Sequence, residues 1–183
     1  MTLHNSTSAA FRESVALMVK LHDLMTIGDP DGAEADAIRD SMEQPWYAMN
    51  SAEQQLIRGL STDLYRIGQS RTANGKPTSA SLQDLQGRVA SGDWHELLSL
   101  VRENELILSP ERVAMLRGLA WANLQLFEPA IEFLQEAIRL SPGDKEARLL
   151  LLSCLVQAGR TDEAVRVAAE STDRSTLELA TSM

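Results

Sequence analysis

The chain contains a single cysteine, Cys154, among its 183 residues, so it cannot form an internal disulfide bond. Such sparse use of cysteine is typical of proteins in a reducing compartment. The N-terminal residues lack the basic start of a signal peptide. No apolar run approaches the ~20 residues that a membrane-spanning helix needs. Together these absences predict a cytoplasmic protein that does not cross a membrane.

An excess of basic residues is also missing. The formal net charge is −9. Residues 1–68 contain five Lys and Arg and ten Asp and Glu. The corresponding numbers are four basic and five acidic residues in 69–110, and eight basic and eleven acidic residues in 111–183. A protein that binds nucleic acid needs a basic face to displace counterions from the phosphates. The charge therefore argues against a nucleic-acid partner.

Proline and glycine are scarce, with 6 and 10 copies, and alternating runs of β-branched residues are absent. Apolar residues recur instead at helical spacing, which predicts an all-α protein. A polar stretch with an Asn-Gly turn signal, residues 69–78, is interpreted as a linker between a helical N-terminal segment (1–68) and a second helical region (79–183). Capping residues and glycines mark nine helices, expected at residues 8–26, 33–43, 52–67, 79–91, 94–107, 110–125, 128–140, 145–158 and 162–170.

Two local signals concern the N-terminal segment. Ser51 and Gln54 have the spacing of a capping box at the start of the third predicted helix. Pro45 is expected to end the second predicted helix. Trp46 and Tyr47, which follow it, are expected to fill a core between the first three helices.

The C-terminal region repeats itself. A shift of 34 residues superimposes Trp121 on Leu155 and Ala130 on Ala164. Periods of this length are typical of stacked two-helix units. We interpret the small residues as positions where two helices approach closely.

The signature of the central unit resembles the tetratricopeptide repeat (TPR), whose pattern is W-x2-L-G-x2-Y, then A-x3-F, then P. Ala114 and Arg117 depart from it, since the pattern has Trp and Leu there. The resemblance extends over about residues 78–176 and implies an α-solenoid of antiparallel helix pairs with a helical N-terminal extension. The "PWY" and "LSTDLY" stretches of that extension also resemble segments of bacterial TPR proteins. The matching residues are Gly118, Trp121, Ala130, Leu134, Ala137 and Pro142.

The resemblance also implies a binding groove, because the first helix of each TPR pair lines a concave surface. Apolar and amide side chains in such a groove suit an amphipathic helix or an extended apolar segment of another protein. The alternative is that the first helices of this same chain fill the groove. The groove positions carried over from the family are Leu82, Gln86, Arg112, Met115, Leu119, Asn123, Leu149, Ser153 and Gln157.

The residues indicate no catalytic, metal or cofactor site, so we expect a protein that is not an enzyme. The acidic stretch at residues 29–40 lacks the ligand pattern of a calcium loop. His22 lies on an apolar stripe with Phe11 and Val15, as expected of a histidine at the edge of a core. Cys154 lies in an apolar run and is expected to be a buried, unreactive thiol.

These features favour a protein–protein interaction adaptor or scaffold. In size and repeat content the chain is similar to bacterial kinesin light chains, which accompany bacterial tubulins, and this similarity implies a cytoskeletal partner. A self-assembling structural protein is the first alternative. A binder of a metal or small ligand through the acidic N-terminal stretch is the second.

Assembly is suggested by the predicted helix 145–158, whose leucines and valine cover nearly its whole circumference. Such a helix needs cover on several sides. The helix expected after it is short and leaves Val165, Ala168 and Ala169 exposed. Either the tail folds back through Leu177 and Leu179, or a second copy of the chain covers this end in a homodimer.

Overall fold

The protein is all-α, as the sequence predicts. The structure, a computed structural model, describes residues 7–69 and 78–170, and these ranges contain helices and no strand. The chain divides into an N-terminal unit, Met1–Ser70, and a C-terminal unit, Arg71–Met183. Leu177 and Leu179 of the tail, and most of the predicted linker, lie outside the described residues. The helices are α1 (Ala9–Thr26), α2 (Ala33–Ser41), α3 (Glu43–Ala48), α4 (Ser51–Tyr65), α5 (Ser79–Ser91), α6 (Trp94–Glu103), α7 (Pro110–Asn123), α8 (Phe127–Leu140) and α9 (Lys145–Gln157), and residues 161–170 are also helical.

The N-terminal unit is built around α1, which packs against α2, α3 and α4. Phe11, Val15 and Val19 recur every four residues along one face of α1 and are buried. That spacing places them on a single stripe, which is why α1 can cover several partners at once. His22 continues the stripe at 8% exposure, so its expected place at the edge of the core is confirmed.

The capping box of α4 lies one residue earlier than predicted. Asn50 Oδ1 accepts a hydrogen bond from Glu53 N at 3.0 Å, and Glu53 Oε2 accepts one from Asn50 N at 3.2 Å. The other carboxylate oxygen of Glu53 accepts the backbone N–H of Ser8 at 2.9 Å, and Ser8 is the N-cap of α1. The assignment to Ser51 and Gln54 was therefore wrong. The contact between Ser8 and Glu53, which joins the starts of α1 and α4 across 45 residues of sequence, favours Glu53 as the capping-box acid.

A short helix, α3, was not predicted, because Pro45 was interpreted as a helix end. Proline is tolerated in the first turn of a helix, where its missing N–H has no intrahelical partner to lose. Pro45 is buried, and so is Met49 just after the helix. Tyr47 is 76% exposed and Trp46 is half-buried, so the prediction that these aromatics fill a core was wrong.

In the C-terminal unit consecutive helices pack against each other, from α5 on α6 through to α8 on α9. The most extensive packing joins α7 and α8, whose short connection at residues 124–126 makes them antiparallel neighbours. A Cβ placed on Gly118 would lie 2.6 Å from Leu134 Cγ and 3.4 Å from the carbonyl oxygen of Ala130. The predicted close approach of two helices at Gly118 is therefore confirmed.

Helix α6 ends earlier than the predicted residue 107. Asn104 Nδ2 donates a hydrogen bond to the carbonyl oxygen of Leu100 at 2.8 Å, which satisfies one of the last carbonyls of α6. Glu105 then turns into the interior, where its carboxylate lies 3.4 Å from the guanidinium of Arg117. The end of this helix is therefore accompanied both by the local hydrogen bond of Asn104 and by the interior ion pair of Glu105.

Candidate functional site

The first helices of two successive pairs, α7 and α9, lie next to each other. Both pack on α8, and they also touch one another. Their sides that face away from α8 are therefore neighbours, and we call them together the α7–α9 face. Its outward residues are Arg112, Leu119, Asn123, Leu149, Leu152, Ser153, Val156 and Gln157.

Helix α9 supplies the apolar part of the α7–α9 face. Its core side is formed by Ala147, Leu151, Cys154 and Leu155, all of which are buried. On the opposite side, Leu149 is 69% and Val156 is 57% exposed, with half-buried Leu152 between them and exposed Ser153 and Gln157 beside them. Two large apolar side chains thus face solvent two helical turns apart.

Helix α7 supplies a more polar part. Arg112 and Asn123 are exposed, and Leu119 is half-buried. Asn123 Nδ2 donates to the carbonyl oxygen of Leu119 at 2.9 Å. Met115 was expected to line the groove, but it is only 5% exposed. It belongs to the core, so a partner cannot use it as an accessible anchor.

The two predicted groove positions on α5 stand apart from this face. Leu82 is 40% exposed and Gln86 is also exposed. Helix α5 packs on α6, and no extensive contact between described residues joins it to α7 or α9. The structure therefore brings together the positions of α7 and α9 but does not add those of α5.

Sequence reasoning missed Val156, which it assigned to buried packing around an apolar helix. A usable signal exists, since Val156 follows Leu149 by seven residues and therefore lies on the same side of α9 two turns later. Leu155, its immediate neighbour, lies about 100° away around the helix and is fully buried.

An ion cluster holds the helical segment 161–170 beside α8. Arg160 Nη1 lies 2.9 Å from Glu128 of α8, and Arg160 Nε lies 2.7 Å from Glu163. The hydrogen bonds from Arg160 lower the pKa of Glu163, and those with Glu163 are the main cause that raises the pKa of Arg160. As expected, Val165, Ala168 and Ala169 of this segment are exposed.

The acidic stretch that could have held a cation is tied to an arginine. Arg39 Nη1 bonds Asp36 at 2.7 Å, and Arg39 Nη2 donates to the carbonyl oxygen of Pro30 and lies 4.0 Å from Asp31. Within residues 7–69 and 78–170, no group of three or more His, Cys, Asp or Glu is placed to hold a metal ion. In the same ranges no helix is long and apolar enough to cross a membrane.

Cys154 is 2% exposed, and burial raises the pKa of its thiol from 9.0 to about 11. The thiolate is the reactive form, so this change lowers its fraction at neutral pH on the order of 100-fold. We expect native protein to react with Ellman's reagent at least that much more slowly than urea-unfolded protein. Equal rates in the two states would contradict the buried placement of Cys154.

Comparison with known protein families gives a match, which lies in the C-terminal region. A family model described as tetratricopeptide repeat matches residues 127–175. This segment is similar to the tetratricopeptide repeat. The match includes α8, α9 and the helical segment 161–170, whereas Gly118 and Trp121 of the predicted signature lie before it. No curated protein and no solved structure matches the chain. Proteins built from such repeats generally use them to bind other proteins.

Proposed function

We propose that the protein is a non-enzymatic adaptor whose α7–α9 face binds a helix of another protein. The proposal rests mainly on the outward pair Leu149 and Val156, whose side chains are 69% and 57% exposed. Both lie on α9, which corresponds to the helix that lines the groove in a TPR array. With half-buried Leu152 between them, these side chains form part of an exposed apolar patch, and contiguous patches of this kind mark interaction surfaces.

The spacing of this pair suits an amphipathic helix. Seven residues along an α-helix span about 10 Å, so Leu149 and Val156 match the distance between side chains two turns apart on a partner helix. Around them, Asn123, Ser153 and Gln157 offer hydrogen-bonding groups that a partner backbone or polar side chain can use. Arg112 is the one exposed basic residue among the predicted groove positions.

The test uses the variant Leu149→Arg/Val156→Arg. Both side chains are already exposed, so the fold should be retained while two charges replace the apolar anchors. Burying a side chain of this size is worth about 1.5–3 kcal/mol. We therefore expect the affinity for the partner to fall by two orders of magnitude or more, roughly, in a pull-down followed by titration of the purified partner.

Leu106→Arg is the matched control. Leu106 is 62% exposed in the connection between α6 and α7, outside the α7–α9 face, so this change should leave binding intact. If the double variant binds as tightly as the wild type, the interface lies on another surface.

The same apolar pair could be covered by a second copy of the chain, as in a self-assembling protein. Equilibrium sedimentation distinguishes this alternative. A wild type that dimerises, together with a double variant that is monomeric, would replace the adaptor with a homo-oligomer. The similarity to bacterial kinesin light chains gains no support from the comparisons, so the proposal includes no cytoskeletal polymer.

A further inference from the structure

The solvent face of α4 has an unusual charge for this protein. Its exposed side chains include Arg58, followed at the C-cap by exposed Arg66, and no exposed Asp or Glu. The two acidic residues of the helix are turned inward: Asp63 is 1% exposed, and Glu53 is engaged by the N-termini of α1 and α4. This face is cationic although acidic residues outnumber basic ones two to one in residues 1–68.

Arg58 is held over an aromatic ring. Its guanidinium carbon lies 5.1 Å from the centre of the Trp46 ring. The Trp46 backbone is fixed in turn, because its carbonyl oxygen accepts a hydrogen bond from Gln54 Nε2 at 2.9 Å. Stacking orients a guanidinium and leaves the N–H donors at its edge available. Among the described residues, those donors make no hydrogen bond or ion pair.

A second aromatic residue continues the same side of α4. Tyr65 is 64% exposed and follows Arg58 by seven residues, which places it about 10 Å further along the helix. Tryptophan, tyrosine and arginine are the residues that most often dominate binding energy in protein interfaces. Here they form one surface, the Trp46–Tyr65 surface, comprising Trp46, Arg58, Thr62 and Tyr65.

We propose that the Trp46–Tyr65 surface binds an acidic peptide segment of a partner protein. A carboxylate of the segment accepts two hydrogen bonds from the edge of the Arg58 guanidinium, and an apolar side chain about three extended residues away packs on Tyr65. This site lies in the N-terminal unit and does not depend on the function proposed for the α7–α9 face. Nucleic acid fits less well, because two exposed arginines in a chain of net charge −9 neutralise few phosphates.

Fluorescence anisotropy of the full chain tests the proposal. The probes are fluorescein-labelled peptides of about 12 residues, long enough to span the ~10 Å surface in any register. One carries two glutamates and, three residues later, a leucine in a Gly/Ser background. A second has glutamine for glutamate, and a third has serine for leucine. We expect the acidic, leucine-containing peptide to bind at least about tenfold more tightly than either of the others.

Variants of the full chain locate the binding. Arg58→Gln should weaken the acidic peptide about tenfold, and Arg58→Lys should recover only part of the loss, because lysine keeps the charge but not the planar fork. Arg12→Gln removes an exposed arginine of α1 and serves as the control that should bind normally. Both positions, Arg58 and Arg12, are exposed, so unchanged circular dichroism is expected for all three variants.

Several outcomes would overturn the proposal. These are absence of binding to the acidic peptide, equal binding of the acidic and glutamine peptides, and equal losses in Arg58→Gln and Arg12→Gln. Tighter binding of a short single-stranded DNA that is lost in Arg58→Gln would assign the surface to nucleic acid instead.

Discussion

Replacing Gly118 by leucine is expected to destabilise the C-terminal unit by more than about 3 kcal/mol, since even smaller overpacking typically costs 1–3 kcal/mol. The Cβ alone would lie 2.6 Å from Leu134 Cγ and 2.8 Å from Leu134 Cδ2. Leu134, Ala130 and Trp121 are all fully buried, so the surrounding side chains have little room to yield. We expect the melting temperature of this unit to fall on the order of 10 °C.

A second glycine provides the matched control. Gly87 lies inside α5, and a Cβ placed there meets no atom within 4 Å. Gly87→Ala should therefore stabilise by about 0.5–1 kcal/mol, because alanine reduces the backbone freedom of the unfolded chain. Gly118→Ala/Leu134→Ala tests whether the clash is the cause, since alanine at position 134 removes the two atoms that lie within 3 Å of the new Cβ. An unchanged melting temperature for Gly118→Leu would mean that α7 and α8 do not approach closely there.

Breaking the interior ion pair of Glu105 and Arg117 is the second change with a large expected effect. The two side chains are 5% and 4% exposed, and the guanidinium also lies over the Phe133 ring with 5.8 Å between its carbon and the ring centre. Removing one charge of a buried ion pair typically costs 3–5 kcal/mol. We expect Glu105→Gln to lower the free energy of unfolding by about that much in urea titrations.

The double variant Glu105→Leu/Arg117→Met distinguishes the effect of losing the charges from the effect of losing packed volume on stability. Buried ion pairs can be replaced by apolar residues of similar volume with little loss, so this variant should recover most of the stability. The exposed pair Arg88 and Asp93, 3.1 Å apart and about half exposed, is the control. Arg88→Gln should change stability by less than about 1 kcal/mol. A loss in Glu105→Gln no larger than that of Arg88→Gln would show that the interior pair contributes little.

Arg117 departs from the family pattern, and the structure shows how its buried charge is compensated. The TPR signature has leucine at this position, and the sequence offers no local reason for a buried charge. The reason lies in the connection between α6 and α7, where Glu105 turns inward to meet it. The partner is twelve residues away in sequence, so the pair cannot be identified from spacing.

Much of the helical framework is determined by the sequence alone. Helix α5 spans the predicted residues 79–91, and its C-cap Gly92 has a φ of 71°, a left-handed conformation that glycine adopts readily. Helix α7 begins at the predicted Pro110 because proline suits the first turn of a helix. Signals of this kind act within one turn of the chain, so they can be recognised without knowledge of the fold.

The candidate binding face required the tertiary structure. Helix α9 is apolar on nearly every side, so its sequence does not say which residues are covered; the packing of α8 and α7 buries Leu151 and Leu155 and leaves Leu149 and Val156 outside. Met115 was wrongly predicted to line the groove for a related reason. Spacing in the sequence does not show which neighbouring side chains cover a residue, and Met115 is buried. Sequence spacing determines where helices begin, end and approach closely. Burial depends on which elements distant in sequence come to lie alongside, and only the tertiary structure decides that.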